Sequence, residues 1–201
     1  MNNTLKKLVR SENKRLLYLT IILIISLILS ALIYILTGSK AAISINYESI
    51  SKMLFMEVFI MTLKRNLIYF IAIILLTCMG QGKIINLLFI LISIYYGLSI
   101  IYLIRTLNMD VKYFVLNFTD YFVFFPILFY FTFVSSTISK YTKKTKNIET
   151  ISHKFDIIIN SYIKLSLIYI LFVVAYSFVY SYYILILSRL WWDNGKQHWK
   201  L

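Results

Sequence analysis

The stretch from Asn66 to Arg105 limits what this chain can fold into more than any other. It consists of an apolar run, a short turn at Gly80-Gln81-Gly82-Lys83, and a second apolar run from Ile84 to Ile104, with no charge inside either run. A helix needs about 20 apolar residues to cross a bilayer, with about 17 as the lower limit. Spans near 66–82 and 84–104, joined as a membrane hairpin, follow directly. Composition agrees: the chain is 60% hydrophobic and 14% charged, against roughly 45–50% and 25% in a soluble domain. One proline and five glycines in 201 residues leave little room for long loops or a separate soluble domain. The expected fold is a single all-α integral membrane domain, 1–201, with about five transmembrane helices.

The remaining spans are read from the same signal. Lys6, Lys7, Arg10, Lys14 and Arg15 precede a charge-free run over 16–37. That run is longer than the apolar core of a signal peptide and lacks a small-x-small cleavage site, so it reads as an uncleaved first span. Met53 to Leu63 is apolar apart from Glu57, and Lys64-Arg65 separates it from the hairpin. Eleven residues rise only ~16 Å as a helix, which suits an amphipathic interfacial helix before the second span. One long tilted helix through Gly80 is the alternative. Glu57 would be exposed at the surface, or would pair with Lys64 or face the bundle.

The fourth span, near 121–139, has Asp120 at its start and Pro126, the only proline, further in. Proline removes a backbone donor and crowds the preceding turn, so this span is either kinked or broken, with a shallow re-entrant piece before it in the second case. Pro126 is then a packing kink, or else a hinge or binding site. The last span, near 165–188, is followed by Arg189, Trp191-Trp192 and Trp199, an aromatic and basic tail suited to a membrane surface.

The net charge of +13 would point to nucleic acid in a soluble protein. Here the bases sit beside apolar runs, where anionic headgroups attract them, so the bilayer is the expected partner and nucleic acid is not. Bases divide almost evenly between the two sides of a five-span chain. The dense clusters, however, are the N-terminal segment and Lys140, Lys143, Lys144, Lys146 and Lys154. Local density orients short loops, which places the N-terminus inside and the C-terminus outside. Those five lysines are the candidate cytoplasmic docking surface.

Chemistry-bearing motifs are absent from the sequence. His153 and His198 lie outside the spans, so no histidine ligand set or Glu-His metalloprotease motif can be assembled. No nucleophile elbow or Walker loop occurs, and Cys78 has no partner for a disulfide. The first, third and fifth spans contain no ionisable residue of the kind that marks ion relays. No enzyme activity and no cofactor or metal are expected.

What remains is packing. Ser93 and Gly97 lie four residues apart on one face, a spacing that lets helices approach closely in lipid. Tyr162, Tyr169, Tyr176 and Tyr183 recur every seven residues, with Ser166 and Tyr180 at intervening positions. They form one polar stripe on the last span, either for helix–helix packing or as a partner interface or wall of a peptide path.

With Phe55 to Phe70 (FMEVFIMTLKRNLIYF), Gly80, Gly97 and Phe124-Phe125-Pro126 in this order, the chain resembles a distant member of the stage II sporulation protein M family. That resemblance implies a non-enzymatic membrane scaffold holding cell-wall hydrolases during engulfment of the forespore. Similar proteins also accompany peptide-export and bacteriocin immunity systems. The alternative expectation is therefore a permease-like subunit working with a separate ABC-type ATPase. A second copy of the chain is a further candidate partner.

Overall fold

A computed structural model describes residues 13–37, 47–107, 115, 118–145 and 152–197, all-α and without strands among these residues. The elements are α1 (Asn13–Thr37), a five-residue α2 (Tyr47–Ser51), α3 (Phe55–Cys78), α4 (Gly82–Leu107), a π-helical turn (Asp120–Phe124), α5 (Phe125–Thr145) and α6 (Ser152–Gln197). Five of these stretches are long and apolar enough to cross a membrane: Asn13–Thr37, Phe55–Cys78, Gly82–Ile101, Asp120–Thr142 and Ile158–Leu190. The chain is a multi-pass helical membrane protein.

The second span differs from the expected one. Residues 53–63 do not form a separate interfacial helix; α3 starts at Phe55 and runs unbroken for 24 residues, which is the single-helix alternative except that it stops at Cys78, short of Gly80. That length rises ~36 Å, enough to cross. Lys64-Arg65 fails to interrupt it because the two side chains go different ways. Lys64 is exposed, where its long stem can carry the charge toward a polar surface. Arg65 turns inward and meets Asp120. Glu57 sits in the first turn, and its Oε2 accepts the Leu54 N–H at 2.9 Å, meeting one amide that the helix start leaves without a partner.

The hairpin turn is a complete helix stop. Gly80 has φ 74°, a conformation that side chains disfavour and glycine accepts. The Gly80 N–H bonds Thr77 O at 3.0 Å and the Gln81 N–H bonds Leu76 O at 2.9 Å, the paired closure of a Schellman motif. Gln81 O then accepts from Ile84 and Ile85, so α4 begins where α3 has just been capped.

The fourth span is continuous rather than broken. Pro126 supplies no N–H, and its ring crowds the carbonyl of the preceding turn. The chain widens there, with the Phe125 N–H reaching Asp120 O across the π turn. Such a turn absorbs one extra residue without leaving the helix. From it, α5 enters the middle of the bundle and touches α1, α3, α4 and α6. Every residue from Phe131 to Ser139 is buried. Thr132, Ser135, Ser136, Thr137 and Ser139 keep this helix thin enough for neighbours on all sides.

In the basic segment that contains the five candidate docking lysines, α5 extends to Thr145 and α6 starts at Ser152. Lys140 is exposed on α5; Lys146 and the side chains of Lys143, Lys144 and Lys154 lie outside the described residues, as do the tryptophan side chains of the tail. At the far end, Arg189 of α6 donates to Ser51 O and Met53 O and so ties down α2. Around the bundle, Leu17, Ile28, Leu36, Leu171 and Val179 are exposed, as a lipid-facing surface requires.

α1 and α4 approach closely at Gly97. A Cβ at Gly97 would collide with Ser30 Oγ and lie 2.8 Å from Ser30 Cβ, while Ser30 Oγ bonds Ile94 O at 3.1 Å. Gly97→Ala should destabilise the detergent-solubilised protein by about 1–3 kcal/mol, the usual cost of overpacking. Adding Ser30→Gly should recover most of that loss in the same thermal-unfolding assay.

Candidate functional site

The interior of the bundle holds two polar layers. The first is built on α3, the π turn and α6. Arg65 Nη2 donates to Asp120 Oδ2 at 2.8 Å, and Tyr176 OH donates to the other carboxylate oxygen at 2.7 Å. Arg65 Nε donates to Asn66 Oδ1 at 3.2 Å, and Asn66 Nδ2 reaches Ser177 Oγ at 3.1 Å. The guanidinium also lies 5.6 Å from the centre of the Tyr180 ring, within cation–π range. The side chains of Arg65 and Asp120 are 28% and 6% exposed.

Local sequence explains why these groups meet. On α3, Val58, Thr62, Asn66, Phe70, Ile73 and Thr77 form the buried stripe; Arg65 flanks it closely enough to bend its fork inward. The π turn carries Asp120 and Phe124 together into the interior. On α6, Tyr176, Ser177 and Tyr180 occupy one inward arc. Both carboxylate oxygens are therefore engaged, and the charge of Arg65 has its counter-ion in contact.

The second layer lies toward the hairpin turn. Tyr162 OH bonds Ser135 Oγ at 2.8 Å and donates to Thr77 Oγ1 at 3.1 Å. Beside it Ser136 Oγ donates to Asn86 Oδ1 at 3.0 Å. Asn66 and Thr77 are eleven residues apart on α3, so the layers are separated by ~17 Å of helix. Between them is an aromatic stack: Phe70 and Phe131 with ring centres 4.9 Å apart, and Phe131 and Tyr169 at 4.6 Å.

The four tyrosines singled out by their spacing therefore have different neighbours along one face of α6. Tyr162 and Tyr176 belong to the two polar layers, and Tyr169 is part of the aromatic stack. Tyr183 OH donates to Val115 O at 2.5 Å. Ser93 and Gly97 are not part of this face; Gly97 meets α1 instead. Ser93 is buried with no hydrogen-bond partner for its Oγ. Pro126 is exposed, so it shapes the helix ahead of it without lining the interior.

Arg65 and Asn66 were the residues that the spacing of charges concealed. Lys64-Arg65 reads in the sequence as a boundary ahead of the second span; in the structure Arg65 lies within that span, and the second and fourth spans each contribute one charge of a pair. The available signal was complementarity, one acid at the start of the fourth span and one arginine inside the second. Among the described residues no three His, Cys, Asp or Glu side chains gather to hold a metal ion. Comparison with protein-family models, curated proteins and solved structures finds no match.

Removing one partner of a buried ion pair costs about 3–5 kcal/mol, whereas replacing both by apolar groups is often neutral. Asp120→Leu should therefore destabilise the protein strongly, and Arg65→Met in the same chain should recover most of the loss. Tyr176→Phe should cost only about 0.6 kcal/mol, the average for a hydrogen bond between membrane helices. Denaturation in mixed micelles measures all three.

Proposed function

We propose that the chain is a non-enzymatic multi-pass subunit of a bacterial envelope complex, similar in role to the stage II sporulation protein M scaffold that holds cell-wall remodelling enzymes. The observation that carries this reading is the mutual pairing of side chains within the two polar layers. Asp120 is engaged on both oxygens, by Arg65 and Tyr176, and Asn66 and Tyr162 bond other residues of the bundle. Groups arranged in this way hold helices to one another and leave the outward surfaces for partners.

Under this reading the hairpin end of the bundle faces the cytoplasm. Lys14, Arg15, Lys83 and Lys140 flank the spans at that end, and the positive-inside rule orients it. In the cytoplasmic membrane, with the C-terminus outside, α2 and the end of α6 would then offer the outer contact surface. A pull-down of the intact protein in mild detergent should recover envelope proteins in stoichiometric amount. Recovery only as a lone monomer would sink the scaffold reading.

One observation favours the permease-like alternative: an ion pair seated on a π turn inside the spans, since both intramembrane charges and π turns recur at functional sites. In that case a separate ATPase would dock against the basic segment containing Lys143 and Lys144. Lysine crosslinks from these positions to an ATPase are the expected result, and their replacement by Gln should abolish ATPase recruitment. Unchanged recruitment in the double variant would exclude this docking mode.

A further inference from the structure

We propose that the hairpin end of the bundle carries a site for the phosphate of an anionic phospholipid, built from the start of α4, Arg15 of α1 and Ser139 of α5. Three helices converge there on Gly82. A Cβ at that position would lie 3.2 Å from Ser139 Oγ and 3.8 Å from Arg15 Nη2; the bare glycine lets its backbone come close to both side chains. Arg15 Nη1 also lies 3.5 Å from Thr137 O, which keeps the guanidinium beside α5.

Two independent features of this cradle call for an anion. The amides of Gly82 and Lys83 stand at the tip of a 26-residue helix, ahead of the first amides bonded to Gln81 O, those of Ile84 and Ile85. Such a tip concentrates N–H donors and the positive end of the helix dipole. Beneath it, Ser139 is fully buried and its Oγ has no hydrogen-bond partner, although a buried hydroxyl ordinarily finds one. Arg15 and Lys83 supply charge, and among residues with described side chains no Asp or Glu lies at this end.

The position selects a lipid. Immediately along the helices from Arg15 and Lys83, the side chains of Leu16, Leu17 and Ile84 are exposed and apolar. A phosphodiester in the cradle would thus have its tails already on the lipid-facing surface. Basic pockets between spans bind anionic headgroups in this manner.

Native mass spectrometry of the full-length protein with equal phosphatidylglycerol and phosphatidylcholine tests the site. Bound phosphatidylglycerol should predominate. Ser139→Ala, Gly82→Ala and Arg15→Gln should each reduce that preference, Arg15→Gln by about fivefold, the weight of one base at an anionic surface. Lys14→Gln removes the same charge from an exposed neighbour and should change it much less. Thermal stability in phosphatidylcholine nanodiscs should be unaffected by Ser139→Ala, which separates loss of the site from loss of the fold. No preference for phosphatidylglycerol, or equal effects of Arg15→Gln and Lys14→Gln with Ser139→Ala silent, would overturn the proposal. Displacement of the lipid by millimolar inorganic phosphate would overturn the assignment to lipid and give the cradle to free phosphate.

Discussion

The pairing of Arg65 with Asp120 is the constraint on which the arrangement of this bundle rests. A lone arginine near the middle of a span costs at least about 2.5–3.5 kcal/mol, so α3 is acceptable in a membrane only if a counter-ion stands beside it. The π turn provides one by carrying Asp120 inward. Tyr176 then fixes the second carboxylate oxygen, which brings α6 to the same point. Three elements distant in sequence are thereby held in one register, and Phe70, Phe124 and Phe131 pack around the meeting point.

Around that point the helices divide into two kinds of contact. α3, α5 and α6 meet through aromatic rings and side-chain hydrogen bonds, as in the Tyr162–Ser135–Thr77 group. α1 and α4 meet through closeness of backbone at Gly97 and Ser30. The difference has a physical basis. Lipid offers apolar helices no hydrophobic reason to associate, so they need either shared hydrogen bonds or close van der Waals approach. The central helix α5 takes part in both, because its Ser and Thr residues are small and polar together.

Much of the architecture was legible in the residues. Long charge-free runs gave five spans, Gly80 gave the hairpin turn, and the seven-residue spacing of tyrosines marked the inward face of α6. The choice between an elbow and one long helix is not decidable from sequence, because the Lys64-Arg65 pair reads as a boundary in a one-dimensional hydropathy profile. Whether a charge breaks a span depends on what faces it, and Asp120 is 55 residues away in sequence. Pro126 announces a disturbed turn, kinked or broken, without specifying that the chain absorbs it as a π turn. The roles of Asn66, Ser135 and Ser177 depend on partners in other helices and leave no periodic trace.

The same 55-residue separation bears on how the protein is made. Arg65 leaves the ribosome ahead of Asp120 and can enter the bilayer before the fourth span does. In that interval its charge is carried by α3 alone, offset by the apolar residues of that helix and by the hairpin with α4. Tyr176 arrives later still. Assembly therefore has an order: a provisional hairpin first, its charge answered when the fourth span inserts, and the site locked only when the last span is in place.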